Sequence, residues 1–357
     1  MGNDPRLFQV YWGLWLGSSS LENFHLSREF GEKLVALAQQ GGHPNTLSHA
    51  HYALGNSLFC LGRFAEAACE LEQGTAIYDP ATASLELGED PLVTNLSFLS
   101  WAYWFCGRHD EALAASRRAV ARARELNHPY TLGYALIFAA ILHRLRREPE
   151  QAENHAAEAL NLAERFGIAL WQAAALVILG WARVMRGDPQ GMNTIFNVLS
   201  MVSAIMGGVE SMFLAHLIEA SHTAGMPAAG LQAVERGLAV AELRKDWHYL
   251  AEFQRMKGEL LLSQGASADQ AAPWFAQAAH TAAEQGSPSL QLRAAISQAR
   301  CCIHEEPGKA YDLLADALAR LPPHTDTGDM REALELTQRS GEHAALTSNN
   351  PHSPADF

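Results

Sequence analysis

Two stretches of the sequence determine its fold: HYALGNSLFCLGRFAEAACELEQG (51–74) and LSFLSWAYWFCGRHDEALAASRRA (96–119). Each reads as a helix, a turn containing Gly, and a second helix that carries small residues. Gly62 and Gly107 mark the turns, and an Ala follows each of them by five positions. Glycine permits the left-handed backbone that ends the first helix, and the Ala lets the second helix pack closely against it. Each stretch therefore predicts a helical hairpin.

The hairpin pattern repeats along the chain. The same turn recurs at Arg147, Gly187, Gly225 and Gly265. Successive turns are therefore separated by 45, 40, 40, 38 and 40 residues. This period is typical of stacked hairpins, in which each unit buries its apolar face against its neighbours. One more hairpin is predicted at each end of the array, over 7–40 and over 289–321.

The composition indicates a helical chain with enough apolar surface to fold. Of its 357 residues, 48% are hydrophobic and only 18% are charged, and the apolar residues accompany strong helix formers such as Ala, Leu, Glu and Arg. We therefore predict an all-α fold, a right-handed α-solenoid of about eight hairpins over residues 1–340. A capping helix near 328–339 ends the array, and 341–357 is predicted to be a disordered tail.

Charge, hydropathy and cysteine usage exclude several classes of partner. The net charge of -13 argues against nucleic acid, because that affinity rests mainly on Lys and Arg neutralising phosphates. No apolar run approaches the ~18 residues of a membrane span. The five cysteines are odd in number and show no CxxC spacing, which favours a reduced, intracellular protein. We expect a cytoplasmic protein with no nucleic-acid or membrane partner.

A His-Pro pair recurs in register, in GGHPNTLSHAHYALG (41–55) and in LNHPYTLGYALIFAA (126–140). A duplicated histidine raises the question of a metal or catalytic site. Both pairs, however, lie between the second helix of one hairpin and the first helix of the next. Proline suits the first turn of a helix, where no N–H is needed. The period therefore predicts that His43 and His128 are linker residues.

The repeat units resemble the tetratricopeptide-like C-terminal regions of bacterial signalling ATPases of the AAA and STAND types. The matching stretches include IYDP (77–80) followed by GEDP (88–91), and YLAEFQRMKGELLL (249–262). Such regions are often linked to adenylate cyclase or transcriptional-regulator domains, so the resemblance implies a sensor or scaffold role. This chain departs from the larger proteins because it lacks GxxxxGK[ST]; its only Gly-Lys is Gly308-Lys309.

A ligand groove is predicted on the concave surface, which the first helices of the hairpins line in tetratricopeptide arrays. Counting back ten, six, three and two residues from each turn gives approximate inward-facing positions. The candidate groove residues are Tyr52, Asn56, Phe59, Trp101, Trp104, Phe105, Tyr134, Arg144, Trp181 and Arg255. An aromatic groove that continues into a polar one suits a peptide or an amphipathic small molecule. The alternative is that the aromatic residues only pack between repeats.

An enzymatic function has little support in the sequence. His216, Glu219 and His222 share a helix, but the two histidines lie about 120° apart around it and do not share a metal. No nucleophile elbow or paired CxxC appears, and no metal or cofactor is predicted. The principal hypothesis is a regulatory module that binds a protein segment or small effector. The alternative is an enzyme or substrate-binding protein that uses Glu219, His222 and Glu259.

Overall fold

The computed structural model describes residues 6–21, 23–85, 87–202, 210–323 and 325–348. Within these ranges there are seventeen helices and no strand. The helices are α1 Arg6–Ser20, α2 Phe24–Gly41, α3 Pro44–Cys60, α4 Phe64–Ala76, α5 Pro91–Phe105, α6 His109–Leu126, α7 Pro129–Leu145, α8 Pro149–Phe166, α9 Ala169–Met185, α10 Gly191–Val202, α11 Glu210–Thr223, α12 Pro227–Arg244, α13 Leu250–Ser263, α14 Ala268–Glu284, α15 Pro288–Cys302, α16 Pro307–Leu318 and α17 Gly328–Ser348. Consecutive helices pair as eight hairpins, which α17 follows. The predicted all-α solenoid of hairpins is confirmed.

All six predicted turn residues have left-handed backbone, with φ from 62° at Arg147 to 91° at Gly265. The Gly62 N–H donates to the Phe59 carbonyl, and the next N–H, of Arg63, donates to the Leu58 carbonyl, both at 2.9 Å. The same pair of bonds recurs at each of the other turns. These bonds satisfy carbonyls that the end of a helix leaves without a partner. The repeat period in the sequence therefore reflects the regular spacing of the points where the first helix of each hairpin ends.

Small residues bring the paired helices together, as the repeat predicts. Ala67, Ala112 and Ala152, each five residues after a turn, are fully buried. Close approach is also visible at Gly55 in α3, where an added Cβ would lie 2.6 Å from the Leu71 side chain of α4. A larger residue at this contact would push the two helices of the hairpin apart.

The duplicated histidines lie at helix starts, which confirms the linker prediction. His43 and His128 are the N-caps of α3 and α7, and a proline occupies the first turn of each helix. The Nδ1 atom of His128 also accepts a hydrogen bond from the Thr131 N–H, which caps a free donor at the helix start.

The solenoid closes on itself along a line that we call the seam, where α3, α5 and α7 end against the segments that lead into α13, α15 and α17. The Trp247 N–H, just before α13, donates to the Cys60 carbonyl at the end of α3 at 2.8 Å. The Ser287 hydroxyl, at the start of α15, donates to the Phe105 carbonyl at the end of α5, also at 2.8 Å. Helix-terminal carbonyls of one superhelical turn are thus satisfied by the next turn.

The third step of the seam repeats the pattern at α7. Arg293 donates from Nη2 to the Leu145 carbonyl at 2.6 Å, and Arg146 donates from Nη2 to the Asp326 carbonyl at 3.1 Å. The contacts of Trp247, Ser287 and Asp326 each join one hairpin to the unit five positions later, and the contact of Arg293 with Leu145 joins hairpins four positions apart. Five hairpins make one turn of the superhelix.

The C-terminal helix α17 begins at Gly328, as predicted, and continues to Ser348, beyond the predicted end near residue 339. Residues 341–348 of the predicted tail are thus helical, and 349–357 lie outside the described residues. None of the helices in the described ranges is long and apolar enough to cross a membrane.

Candidate functional site

The first half of the inner surface is a closed packing of aromatic rings, which we call the aromatic block. Its members are Tyr52, Phe59, Phe98, Trp101, Phe105, Tyr134 and Phe138, and none is more than 9% exposed. Trp101 stacks on Phe138 with 4.0 Å between ring centroids, and its Nε1 donates to the Phe138 carbonyl at 3.0 Å. Stacked rings with a satisfied indole N–H are typical of core packing.

The segments of the seam cover this half of the inner surface. The ring of His248 packs on Phe59 with 5.3 Å between centroids, and the Arg293 guanidinium lies 4.8 Å from the ring centroid of the fully buried Trp104. The buried candidates here are Tyr52, Asn56, Phe59, Trp101, Trp104, Phe105 and Tyr134. These residues pack between repeats, as the alternative interpretation proposed, and a ligand contact for them stays a prediction.

The second half of the inner surface contains a cavity of about 390 Å³, which we call the charged cavity. Its wall consists of four arginines, four acids and several apolar or neutral side chains. The charged members are Arg147, Arg255, Arg293, Arg300, Glu219, Glu259, Asp329 and Glu332, and the others are Pro149, Trp181, Met185, His222, Thr223, Met256 and Ile296. The structure thus brings together the candidates Trp181, Glu219, His222, Arg255 and Glu259.

Glu219 links the cavity wall to the buried side chains behind it. Its Oε2 accepts hydrogen bonds from Arg144 Nη1 at 2.8 Å and from Trp181 Nε1 at 2.9 Å. Arg144 is buried behind the wall and donates from Nη2 to the Tyr249 hydroxyl at 3.0 Å. Arg144, a groove candidate, therefore positions the Glu219 carboxylate and the Trp181 ring rather than lining the cavity itself.

A buried ion-pair network fixes the opposite wall. Arg255 donates from Nη2 to Glu252 Oε1 at 2.7 Å, and Arg293 donates from Nη1 to the same oxygen at 3.3 Å. Burial alone raises the pKa of Glu252, but Arg255 and Arg293 outweigh burial and hold the pKa at about 2. Arg293 also donates from Nε to Asp329 Oδ2 at 2.9 Å. Glu252 is therefore ionised at neutral pH, and the network links α13, α15 and α17.

Glu259 and His222 complete the polar wall. Glu259 Oε1 accepts from the Ser297 hydroxyl at 2.6 Å and from Arg255 Nη1 at 3.3 Å. Burial lowers the pKa of His222 and Glu259 opposes that shift, while Arg255 and Arg300 lower the pKa further. With His222 neutral at pH 7, four arginines face four carboxylates. The cavity presents both signs of charge and no net charge.

The donors around Glu219 and Glu259 bear on the enzymatic alternative. Each carboxylate accepts from at least two side chains through a single oxygen, which fixes its orientation as a structural role requires. A catalytic role for Glu219, His222 or Glu259 stays an alternative hypothesis.

Counting from the turns missed five charged residues of the cavity, namely Arg147, Arg293, Arg300, Asp329 and Glu332. Asp329 and Glu332 belong to α17, which is not paired in a hairpin within the described residues. Arg293 and Arg300 are seven residues apart on α15 and share one helix face, so this spacing was the available signal of a polar inner surface.

Solved structures with this fold span the whole chain. A Rap protein complexed with Competence and Sporulation Factor matches with a TM-score of 0.59, covering 96% of this chain and 97% of that one at 10% identity. The Rap conjugation gene regulator of plasmid pLS20, in complex with the Phr* peptide, matches with a TM-score of 0.51, covering 98% and 99% at 11% identity.

A weaker match is the STAND-class signal-transduction ATPase with a tetratricopeptide-repeat sensor from Pyrococcus horikoshii. It covers 94% of this chain and 55% of that one at 13% identity, with a TM-score of 0.42. No protein-family model and no curated protein sequence matches this chain. At these identities the likeness concerns the fold alone. The chain has a tetratricopeptide-like helical-repeat fold.

Proposed function

We propose that this chain is a regulatory binding module, a scaffold or sensor that binds a short peptide or an exposed segment of a partner protein in the charged cavity. The observation that carries the proposal is the wall of four arginines and four acids beside Trp181. The cavity volume of about 390 Å³ lies within the range of roughly 300–1,000 Å³ that ligand sites occupy.

The chemistry of the wall favours a ligand that carries both charges. Arginine forks bind carboxylates bidentately, and the carboxylates of the wall accept from ammonium or guanidinium groups. A phosphate-rich ligand would meet four acids and no net positive charge. Met185 and Met256 add adaptable apolar contacts beside Trp181. A peptide offers both charged and apolar groups in one chain.

The solved structures with this fold add support. Two of them match the whole chain with TM-scores above 0.5, and both are described as complexes, one with Competence and Sporulation Factor and one with the Phr* peptide. A zwitterionic small effector is the second ligand that the same wall suits. The cytoplasmic location predicted from the sequence is part of this proposal.

Binding of the full chain to an array of hexapeptides with varied charge tests the proposal. Arg300→Ala removes a wall charge that is 45% exposed, and Arg183→Ala, at the same exposure but paired with Asp188 outside the cavity, is the matched control. We expect wild type and Arg183→Ala to retain a subset of peptides that carry both charges. Arg300→Ala is expected to bind that subset at least about tenfold more weakly.

Two outcomes contradict the proposal. One is that no peptide binds above background. The other is that Arg300→Ala binds the array as Arg183→Ala does. Mass spectrometry of the eluted peptides separates binding from catalysis, since cleaved or modified peptides that disappear with Glu219→Gln would favour the enzymatic alternative.

A further inference from the structure

Three buried side chains with metal-binding atoms converge at the seam. Cys60 ends α3, and Asp246 and His248 lie in the linker before α13. They are 8%, 3% and 9% exposed, and one ligand atom from each lies within 4.8 Å of the other two. The hydrogen bond from the Trp247 N–H to the Cys60 carbonyl holds the linker against the helix end.

Asp246 differs from the other buried acids in how its charge is balanced. In the part of the chain that the structure describes, each of the others forms an ion pair with an arginine: Asp90 with Arg122, Glu252 and Glu259 with Arg255, and Asp329 with Arg293. Asp246 instead contacts His248, with 2.5 Å between Oδ1 and Nδ1. A buried carboxylate is costly unless a positive charge accompanies it. A bound cation is one source of that charge.

Cys60, the third member of the cluster, indicates which cation the site would bind. A thiol next to an imidazole and a carboxylate is a donor set for zinc, whereas magnesium and calcium prefer oxygen ligands alone. A thiolate at Cys60 and the Asp246 carboxylate carry two negative charges, which balance a divalent ion in a buried site. We propose that Cys60, Asp246 and His248 bind one zinc ion across the seam.

The spacing of the cluster is compatible with this ion. Zinc binds sulfur at about 2.3 Å and nitrogen or oxygen at about 2.0–2.2 Å, so tetrahedral ligand atoms lie roughly 3–4 Å apart. The three ligand atoms lie within 4.8 Å of one another, which is close to that spacing. Three protein ligands leave one position for water or another donor.

Zinc at this site would stabilise the closed superhelix. Cys60 belongs to the second hairpin, and Asp246 and His248 lead into the seventh, so the ion joins the two turns of the solenoid directly. Because the three ligands come together only when the seam is closed, binding favours the closed form over any opened or unfolded form.

The test uses the full chain and has two readouts. Elemental analysis gives the zinc content after dialysis, and titration with Co²⁺ reports thiolate ligation by a charge-transfer band in the near ultraviolet. We expect one zinc per chain, a cobalt–thiolate band and a thermal midpoint that rises with zinc. Cys60→Ser and Asp246→Asn are expected to lose all three. Cys106→Ser, at the corresponding turn of the next hairpin, is the control and is expected to keep them.

The proposal is overturned if folded wild type binds no zinc or gives no thiolate band with Co²⁺. It is also overturned if Cys60→Ser retains zinc. The contact between His248 and Asp246 is then a hydrogen bond that needs no metal. Circular dichroism checks that each variant folds, and if Cys60→Ser does not fold, the wild-type cobalt spectrum decides alone.

Discussion

The aromatic block and the charged cavity occupy equivalent repeat positions on the inner surface, yet one is sealed and the other is open. Six residues before the turn, the first half has Trp101 and Ile141, which pack among other side chains, and the second half has Trp181, Glu219 and Glu259, which line the cavity although Trp181 and Glu259 are themselves less than 9% exposed. The difference comes from the superhelix, because the segments before α13 and α15 pack against the first half, whereas side chains of α13, α15 and α17 line the cavity of the second half. Repeat position predicts which way a side chain faces, and the next turn of the superhelix decides whether it meets packed rings or a cavity.

The largest expected effect is the loss of an aromatic ring from the block. Trp101→Ala removes a ring that stacks on Phe138 and whose Nε1 donates a hydrogen bond to the Phe138 carbonyl. We expect the free energy of unfolding to fall by about 3–5 kcal/mol, as it does for large-to-small changes in cores. Urea unfolding of the variant and the wild type measures this change in free energy. Near-normal stability together with lost peptide binding would show that this half is the ligand groove.

The second prediction concerns pH and the covered half. Burial, with help from Arg146, lowers the pKa of His109 beside Trp104 from 6.5 to about 4. Below pH 6.5 His109 is therefore protonated in the unfolded chain, whereas in the folded chain it stays neutral until about pH 4. Stability is expected to fall over that window by up to about 3 kcal/mol from this group. Urea unfolding at several pH values should show a flatter dependence in His109→Gln, and an equal slope in both proteins would refute the assignment.

The third prediction concerns the charged half. Glu219→Gln removes the carboxylate that accepts from Arg144 and Trp181, and it leaves Arg144 with a weaker, neutral acceptor. We expect a loss of about 2 kcal/mol in the free energy of unfolding, the scale of a hydrogen bond to a charged group. Peptide retention on the array should fall more steeply than stability does. If stability falls and retention does not, the ligand lies elsewhere.

The smallest expected effect tests the seam itself. The buried Ser289 hydroxyl donates to the Trp104 carbonyl at 2.5 Å, across one superhelical turn. Ser289→Ala is expected to cost about 1 kcal/mol of unfolding free energy, the net value of one hydrogen bond. Ser263→Ala is the control, because Ser263 bonds a carbonyl of its own helix, that of Glu259. A cost no greater than that of the control would mean that the seam adds little to stability.

Local signals in the sequence predicted the hairpins well and the closure poorly. The turn at Arg147 was placed correctly without a glycine, because the surrounding period required a helix end there. The same period placed Trp181, Glu219 and Glu259 on the inner surface. The contact of Arg293 with Trp104, and that of Trp247 with Cys60, depend on the superhelical pitch. Pitch is the sum of small rotations between hairpins, which no motif encodes.

The seam, which joins the second, third and fourth hairpins to the fifth unit after each, has an evolutionary consequence. An open array tolerates the gain or loss of a unit, because each unit contacts only its neighbours. In this chain, one hairpin added between α8 and α13 would place the partners at all three seam steps a full unit away from their carbonyls. Duplication of an internal unit would thus break the serine, arginine and tryptophan contacts together. Hairpins can therefore be gained or lost only at the ends of the array, and the number of hairpins between the seam partners is fixed.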